Sequence, residues 1–116
     1  MSRSWPPSRL GRDAERRVRR HYRLRGYRIL ATNARAGGNE IDIVVRRGGR
    51  LVFCEVKARA GPGYGHPFEA VGPEKERRVR RAAEAWLAAR PELGELEVVL
   101  EVAAVRGRAV DRASLG

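Results

Sequence analysis

Asp42, Glu55 and Lys57 are the residues of this 116-residue chain best suited to chemistry. Asp42 lies in the run Glu40-Ile41-Asp42-Ile43-Val44-Val45, and Glu55 and Lys57 close the run Leu51-Val52-Phe53-Cys54-Glu55-Val56-Lys57. Both runs are rich in β-branched and apolar residues, the composition of buried strands. A carboxylate taken out of water is costly unless something pairs with it. Acids set into two neighbouring apolar strands therefore form a candidate site for a hard divalent cation, with an ammonium beside it. The plainer alternative is a pair of half-exposed strands whose charges face water, with Lys57 pairing Glu55.

The elements that must position these residues follow from pattern. Side chains alternate faces along a strand. Glu40 and Asp42 are expected on one face, with Ile41, Ile43 and Val45 on the other. On the next strand Leu51, Phe53, Glu55 and Lys57 share a face opposite Val52, Cys54 and Val56. The short Arg47-Gly48-Gly49-Arg50 segment suits a hairpin, which brings Asp42 level with Glu55 and Lys57. Before these strands, a helix is expected from Ser8 to Arg25, with Ser8 as N-cap and Leu10, Ala14, Val18 and Tyr22 as its buried stripe. Glu15 flanks that stripe, and position alone makes it an ordinary surface acid. Gly26 ends the helix, Tyr27–Ala31 reads as a strand, and Asn33–Asn39 as a turn around Gly37-Gly38.

After Lys57, the segment Ala58–Pro67 holds three glycines and two prolines and reads as a loop, either a cover for a substrate or a connector. A second helix is expected over Pro73–Ala89, burying Val79, Ala82, Ala83, Trp86 and Leu87. Lys75, Arg77, Arg78 and Arg81 fall off that stripe, either as a solvated face or as a surface for a nucleic-acid backbone. Leu96–Val105 is an apolar strand, followed by a short one near Ala109-Val110. The fold class expected is α+β, a mixed sheet flanked by helices. Residues 1–8 are expected as a flexible tail and 9–116 as a single domain.

Composition bounds the partners. Lysine plus arginine number 25 against 14 acids, for a net charge of +11, which points to a polyanion and above all to nucleic acid. All but Lys57 and Lys75 of the bases are arginine. Genome composition could produce that preference, but not the excess of bases over acids. The lone Cys54 excludes an internal disulfide, and two histidines provide no zinc-ligand spacing. No apolar run approaches a membrane span, so a cytoplasmic location is expected.

Taken in order, further motifs are recognisable. They are Gly11-x-x-x-Glu15, Gly26-Tyr27-x-Ile29-Leu30-x-x-Asn33, Glu40-Ile41-Asp42, and Leu51-Val52-Phe53 leading into Glu55-Val56-Lys57-x-Arg59. Pro67-x-Glu69-Ala70-Val71 and Lys75 follow. From Gly11 onward the chain resembles the YraN-like family, also called UPF0102, which is placed in the PD-(D/E)xK restriction-endonuclease-like fold. Ile41 stands where that motif name has proline, Asn39 where the family has glycine, and Glu95-Leu96-Glu97 where it commonly has Arg-Phe-Asp.

The resemblance implies that Asp42 supplies the first half of the motif and that Glu55 and Lys57 supply the second. It raises Glu15 to a further site carboxylate. With Mg2+ or Mn2+, the ligands expected are Asp42, Glu55 and the Val56 backbone carbonyl, with Glu15 directly or through water. Lys57 would orient a water and steady negative charge, and Arg59 would contact a phosphate. Glu40, on the same face as Asp42, is the remaining candidate. The activity implied is hydrolysis of phosphodiester bonds, with DNA, branched or structured, as the expected substrate. The rival readings are a nucleic-acid-binding protein of the same fold without turnover, and an accessory domain with a protein partner. Oligomeric state, a homodimer included, is left open.

Overall fold

The computed structural model of the chain describes residues 9–59 and 72–115. The expectations for the tail 1–8, the loop from Ala60 onward, the Pro67–Val71 motif and the side chains of Leu10 and Arg59 lie outside the described residues. Helix α1 (Arg9–Leu24) precedes strands β1 (Arg28–Ala36), β2 (Asn39–Arg47) and β3 (Arg50–Arg59). Helix α2 (Pro73–Ala88) and a 3-10 turn (Pro91–Leu93) lead to β4 (Glu97–Arg106) and β5 (Ala109–Ser114). The strands form one sheet in chain order. β3 and β4 run parallel, and every other neighbouring pair is antiparallel. This is the expected α+β class, with a mixed sheet between two helices.

Alternation along the strands divides the core into two layers. Ala14, Val18 and Tyr22 of α1 pack on Ile43, Val45, Val52, Cys54, Ala103 and Val105. On the opposite face Val79, Ala82, Ala83 and Trp86 of α2 pack on Val44, Leu51, Phe53 and Leu100. Ala14, Val18 and Tyr22 of the first expected stripe and Val79, Ala82, Ala83 and Trp86 of the second are buried, while Leu87 is only partly so. Phe53 meets Trp86 edge-on, with ring centroids 5.5 Å apart, tying β3 to the helix that follows it. No helix among the described residues is long and apolar enough to cross a membrane.

Three expectations are corrected. β1 does not end at Ala31 but continues to Ala36, so most of Asn33–Asn39 is strand rather than turn. Its polar Ala31–Ala36 segment is held by backbone pairing with Asn39–Val44 rather than by its own apolar content. The turn itself contracts to Gly37-Gly38, with φ of +59° and +78°, the left-handed geometry that glycine adopts at no steric cost. β3 likewise runs through Ala58 to Arg59 beside β4, where a loop was expected.

The third correction bears on the site. Ile41 does not share a layer with Ile43 and Val45; it joins Val44 in the α2 layer. The pairing of β2 with β3 stops at Ile43↔Cys54. Strict alternation therefore slips at Asp42, where the ladder ends.

Candidate metal and phosphate site

The end of that ladder explains how Asp42 is held. Beyond Cys54, the Val56 N–H still points towards β2, and it donates to Asp42 Oδ2 at 2.7 Å. A side-chain carboxylate thus takes the place of the next ladder partner. In an extended strand the N–H and C=O of one residue lie on the same edge. The Val56 carbonyl therefore faces the β2 side as well, beside Asp42.

Glu55 lies on the α2 side of β3, by alternation from Leu51 and Phe53. Lys57 Nζ stands 3.4 Å from Glu55 Oε2, and Lys75 Nζ of α2 stands 3.0 Å from the same oxygen. Lys75 opens α2 one turn before the buried Val79, so packing of the helix delivers its ammonium to β3. Asn39, Glu40, Asp42, Glu55, Lys75, Arg78 and Val79 line a cleft of about 200 Å³.

The electrostatics of the cluster are unusual for a surface. Burial, followed by the like charge of Glu55, pushes the Asp42 carboxyl up to about 7, against the opposing hydrogen bond from Val56. Glu15 and Glu40 push it the same way. Burial and the adjacent Lys75 lower the Lys57 ammonium, although Glu55 works against them. Glu15 is raised by its own burial, partly offset by a hydrogen bond with Asn33 and by Arg19.

The sequence-predicted residues separate accordingly. Asp42, Glu55, Lys57 and the Val56 backbone come together, with Glu40 on the same cleft. Glu15 belongs to the helix on the other layer and acts on Asp42 through charge. Among the described residues no three His, Cys, Asp or Glu side chains group closely enough to hold an ion by themselves. Of the bases predicted to meet nucleic acid, Arg78 lines the cleft, while Arg77 is exposed and leans towards Glu74 at 3.9 Å. Arg81 is exposed on the same helix. Lys75 was expected on that basic surface, but its contact is with Glu55.

Sequence reasoning passed over one buried charge. Glu101, inside the apolar run of β4, is 4% exposed. It accepts a hydrogen bond from the Tyr22 hydroxyl at 2.6 Å, with Arg112 Nε at 3.3 Å and Arg50 Nη2 at 3.4 Å. The signal was the same as at Asp42, a lone acid inside an apolar strand. Here the paired bases make it a structural network that pins α1 to the sheet.

A donor set of two carboxylates and a backbone carbonyl suits a hard cation that keeps several waters, such as Mg2+. The like charge of Glu55 that helps to raise Asp42 is also charge for such an ion to neutralise.

Comparison with known proteins places the chain in a family. The family model described as "Uncharacterised protein family UPF0102" matches residues 14–108. A UPF0102 protein of Streptomyces griseus is 50% identical over 78 residues, covering 67% of this chain and 66% of its own length. One of Acidothermus cellulolyticus is 49% identical over 78 residues, covering 67% of this chain and 59% of its own length. One of a Synechococcus strain is 40% identical over 100 residues, covering 85% and 76%. The alignments thus span less than two thirds of the Streptomyces and Acidothermus proteins. The chain belongs to the uncharacterised protein family UPF0102.

Proposed function

We propose that the chain is a metal-dependent hydrolase of nucleic-acid phosphodiester bonds, with DNA as the expected substrate, built on a PD-(D/E)xK arrangement. The observation that carries this reading is the meeting of Asp42, Glu55, Lys57 and the Val56 backbone where the β2–β3 ladder ends. Asp42, Glu55 and the Val56 carbonyl would hold Mg2+ or Mn2+, with Glu15 contributing through water. When bound, such an ion polarises a phosphate oxygen and acidifies a coordinated water.

The protein groups have separable roles. Val56 N–H fixes the Asp42 carboxylate, and Lys75 fixes that of Glu55. Lys57 is half-buried, and its ammonium is less strongly held than an exposed one, for the reasons given above. Its Nζ is suited to orient the attacking water and to meet the negative charge that grows on the phosphoryl oxygens. Attack by the water oxygen forms one P–O bond as the bond to the leaving sugar oxygen breaks, and that oxygen takes up a proton. Arg78 at the cleft, and Arg59, would hold flanking phosphates.

One observation favours the rival reading of a binder without turnover. Glu55 already faces two ammonium groups, so part of the cluster is neutralised without an ion. Purified protein incubated with single-stranded, duplex, flap and four-way DNA separates the two. Cleavage that appears with Mg2+ or Mn2+, stops with a chelator and disappears in Asp42→Asn supports the hydrolase. Retained DNA binding with no cut strand under any of these conditions supports the binder.

A further inference from the structure

A second concentration of basic side chains lies on the other side of the sheet. The α1 sequence carries seven arginines against Asp13 and Glu15, while α2 carries five bases against three acids. The bases of α2 are partly neutralised within the helix, by Arg77–Glu74 at 3.9 Å and Arg80–Glu76 at 3.1 Å. Three of the α1 bases, Arg16, Arg17 and Arg20, instead line a groove of about 680 Å³ between the helix and the β4–β5 hairpin. Arg16, Arg17, Arg20, Arg25 and Arg108 line it, and Asp13 is the one acid on its wall among the described residues.

Asp13 is taken up by Arg16 at 3.4 Å, and Arg25 donates to the His21 carbonyl. Arg17, Arg20 and Arg108 have no ion-pair partner among the described residues. Burial and the nearby Arg25 and Arg112 also lower the proton affinity of His21, which lies on the same wall. A solvated arginine face would scatter such charges over a convex helix. Here two elements bring them around a concavity, where like charges repel and an anionic ligand relieves the repulsion.

The position links the groove to the cluster. In the β3–β4 register Glu55 pairs with Val102 and Arg59 with Arg106, so the hairpin that carries Arg108 stands just past the Lys57 end of β3. The four residue steps from Glu55 to Arg59 cover about 13 Å of strand. Duplex DNA carries roughly eight backbone charges along that length.

We propose that this groove binds the phosphate backbone of the nucleic acid whose adjoining segment lies at the Asp42–Glu55 cluster. The substrate class rests on the hydrolase reading, but the groove contact does not require turnover. The chain then grips its ligand from both faces of the sheet, with α1 and the β4–β5 hairpin supplying affinity that is indifferent to base sequence.

The test compares Arg20→Glu/Arg108→Glu, one residue from each wall, with Arg23→Glu/Arg28→Glu, which changes net charge equally at exposed positions off the groove. Affinity for a fluorescent DNA duplex is titrated at several salt concentrations in chelator, so that no strand is cut. The groove pair should bind at least about tenfold more weakly near 0.1 M salt, and the slope of log affinity against log salt should fall by about 1.8, the loss of two phosphate contacts. The control pair should lose far less. Arg20→Gln/Arg108→Gln should fall between the parent and the reversal, which guards against an effect of the new acids. Equal losses in the two reversed pairs, no loss in either, or a parent that does not bind the duplex overturn the groove. So does a groove pair that keeps duplex binding but loses binding to phosphatidylserine vesicles, which would assign the surface to a membrane. A parent that binds through the groove yet cuts nothing with Mg2+ or Mn2+ overturns the hydrolase and leaves the groove standing.

Discussion

Replacing Asp42 by Asn should make the metal-free protein more stable at neutral pH, and less distinguishably so in acid. The carboxyl is raised from 3.8 to about 7 by burial and by Glu55. Below 3.8 the proton is bound in both folded and unfolded states, and the group costs nothing. Between those two values the unfolded chain has released the proton while the folded chain keeps it. The folded state then binds more protons, so stability falls as pH rises. Above about 7 the folded protein carries the charge and the full penalty. A shift of roughly three units at about 1.4 kcal/mol each sets a ceiling of about 4 kcal/mol. Relaxation and water entry around a partly accessible site reduce this to about 1–3 kcal/mol. The amide keeps an oxygen for the Val56 N–H, so the anchoring bond survives. Urea unfolding of parent and variant in chelator, near pH 4, 6 and 8, measures the gap, and the other carboxylates cancel in the difference. The gap should open between about pH 4 and pH 7 and level off above. A pH-independent gap, or a parent more stable than the variant near pH 8, would refute the assignment of a strained carboxylate to this position.

Other perturbations address separate parts of the molecule. Lys57→Met keeps the stem of the side chain and removes its charge, so any cleavage should fall by about 10²-fold or more while the unfolding midpoint is retained. A variant cutting at the parental rate rules out the role given to Nζ. Glu101→Ala removes the one acid that Arg50, Arg112 and Tyr22 share, and should cost about 3–5 kcal/mol in urea unfolding. Gly37→Ala places a Cβ 3.1 Å from that of Ala85 and 3.2 Å from the Arg81 carbonyl at a positive φ, and should cost roughly 1–2 kcal/mol by the same measurement. Arg78→Glu should weaken DNA binding more than Arg77→Glu in a salt titration, because only Arg78 lines the cleft.

Much of this arrangement was legible from the chain. Glycine pairs at Gly37-Gly38 and Gly48-Gly49 marked hairpins, and the spacing of Val79, Ala82, Ala83 and Trp86 fixed the buried face of α2. The acids of Asp42 and Glu55 announced themselves by breaking apolar runs. What stayed hidden was set by tertiary contact. The Ala31–Ala36 half of β1 has little strand character of its own and exists because β2 lies beside it. The slip at Asp42 depends on where the β2–β3 ladder stops, which alternation cannot reveal. Lys75 looked like one base on a basic helix, and only the seating of α2 on β3 turns it towards Glu55. Glu101 carried the visible signal of a buried acid, but its partners Tyr22, Arg50 and Arg112 come from three other elements.

Everything proposed for the cluster depends on a divalent cation shared by Asp42 and Glu55. Calorimetric titration of Mn2+ into the parent, Asp42→Asn and Glu55→Gln tests this without any substrate. One equivalent of Mn2+ should bind the parent, and each substitution should weaken binding by at least about tenfold, the loss of one charged ligand. The same affinity in all three proteins would mean that these carboxylates hold no metal, and would contradict the reading of the site.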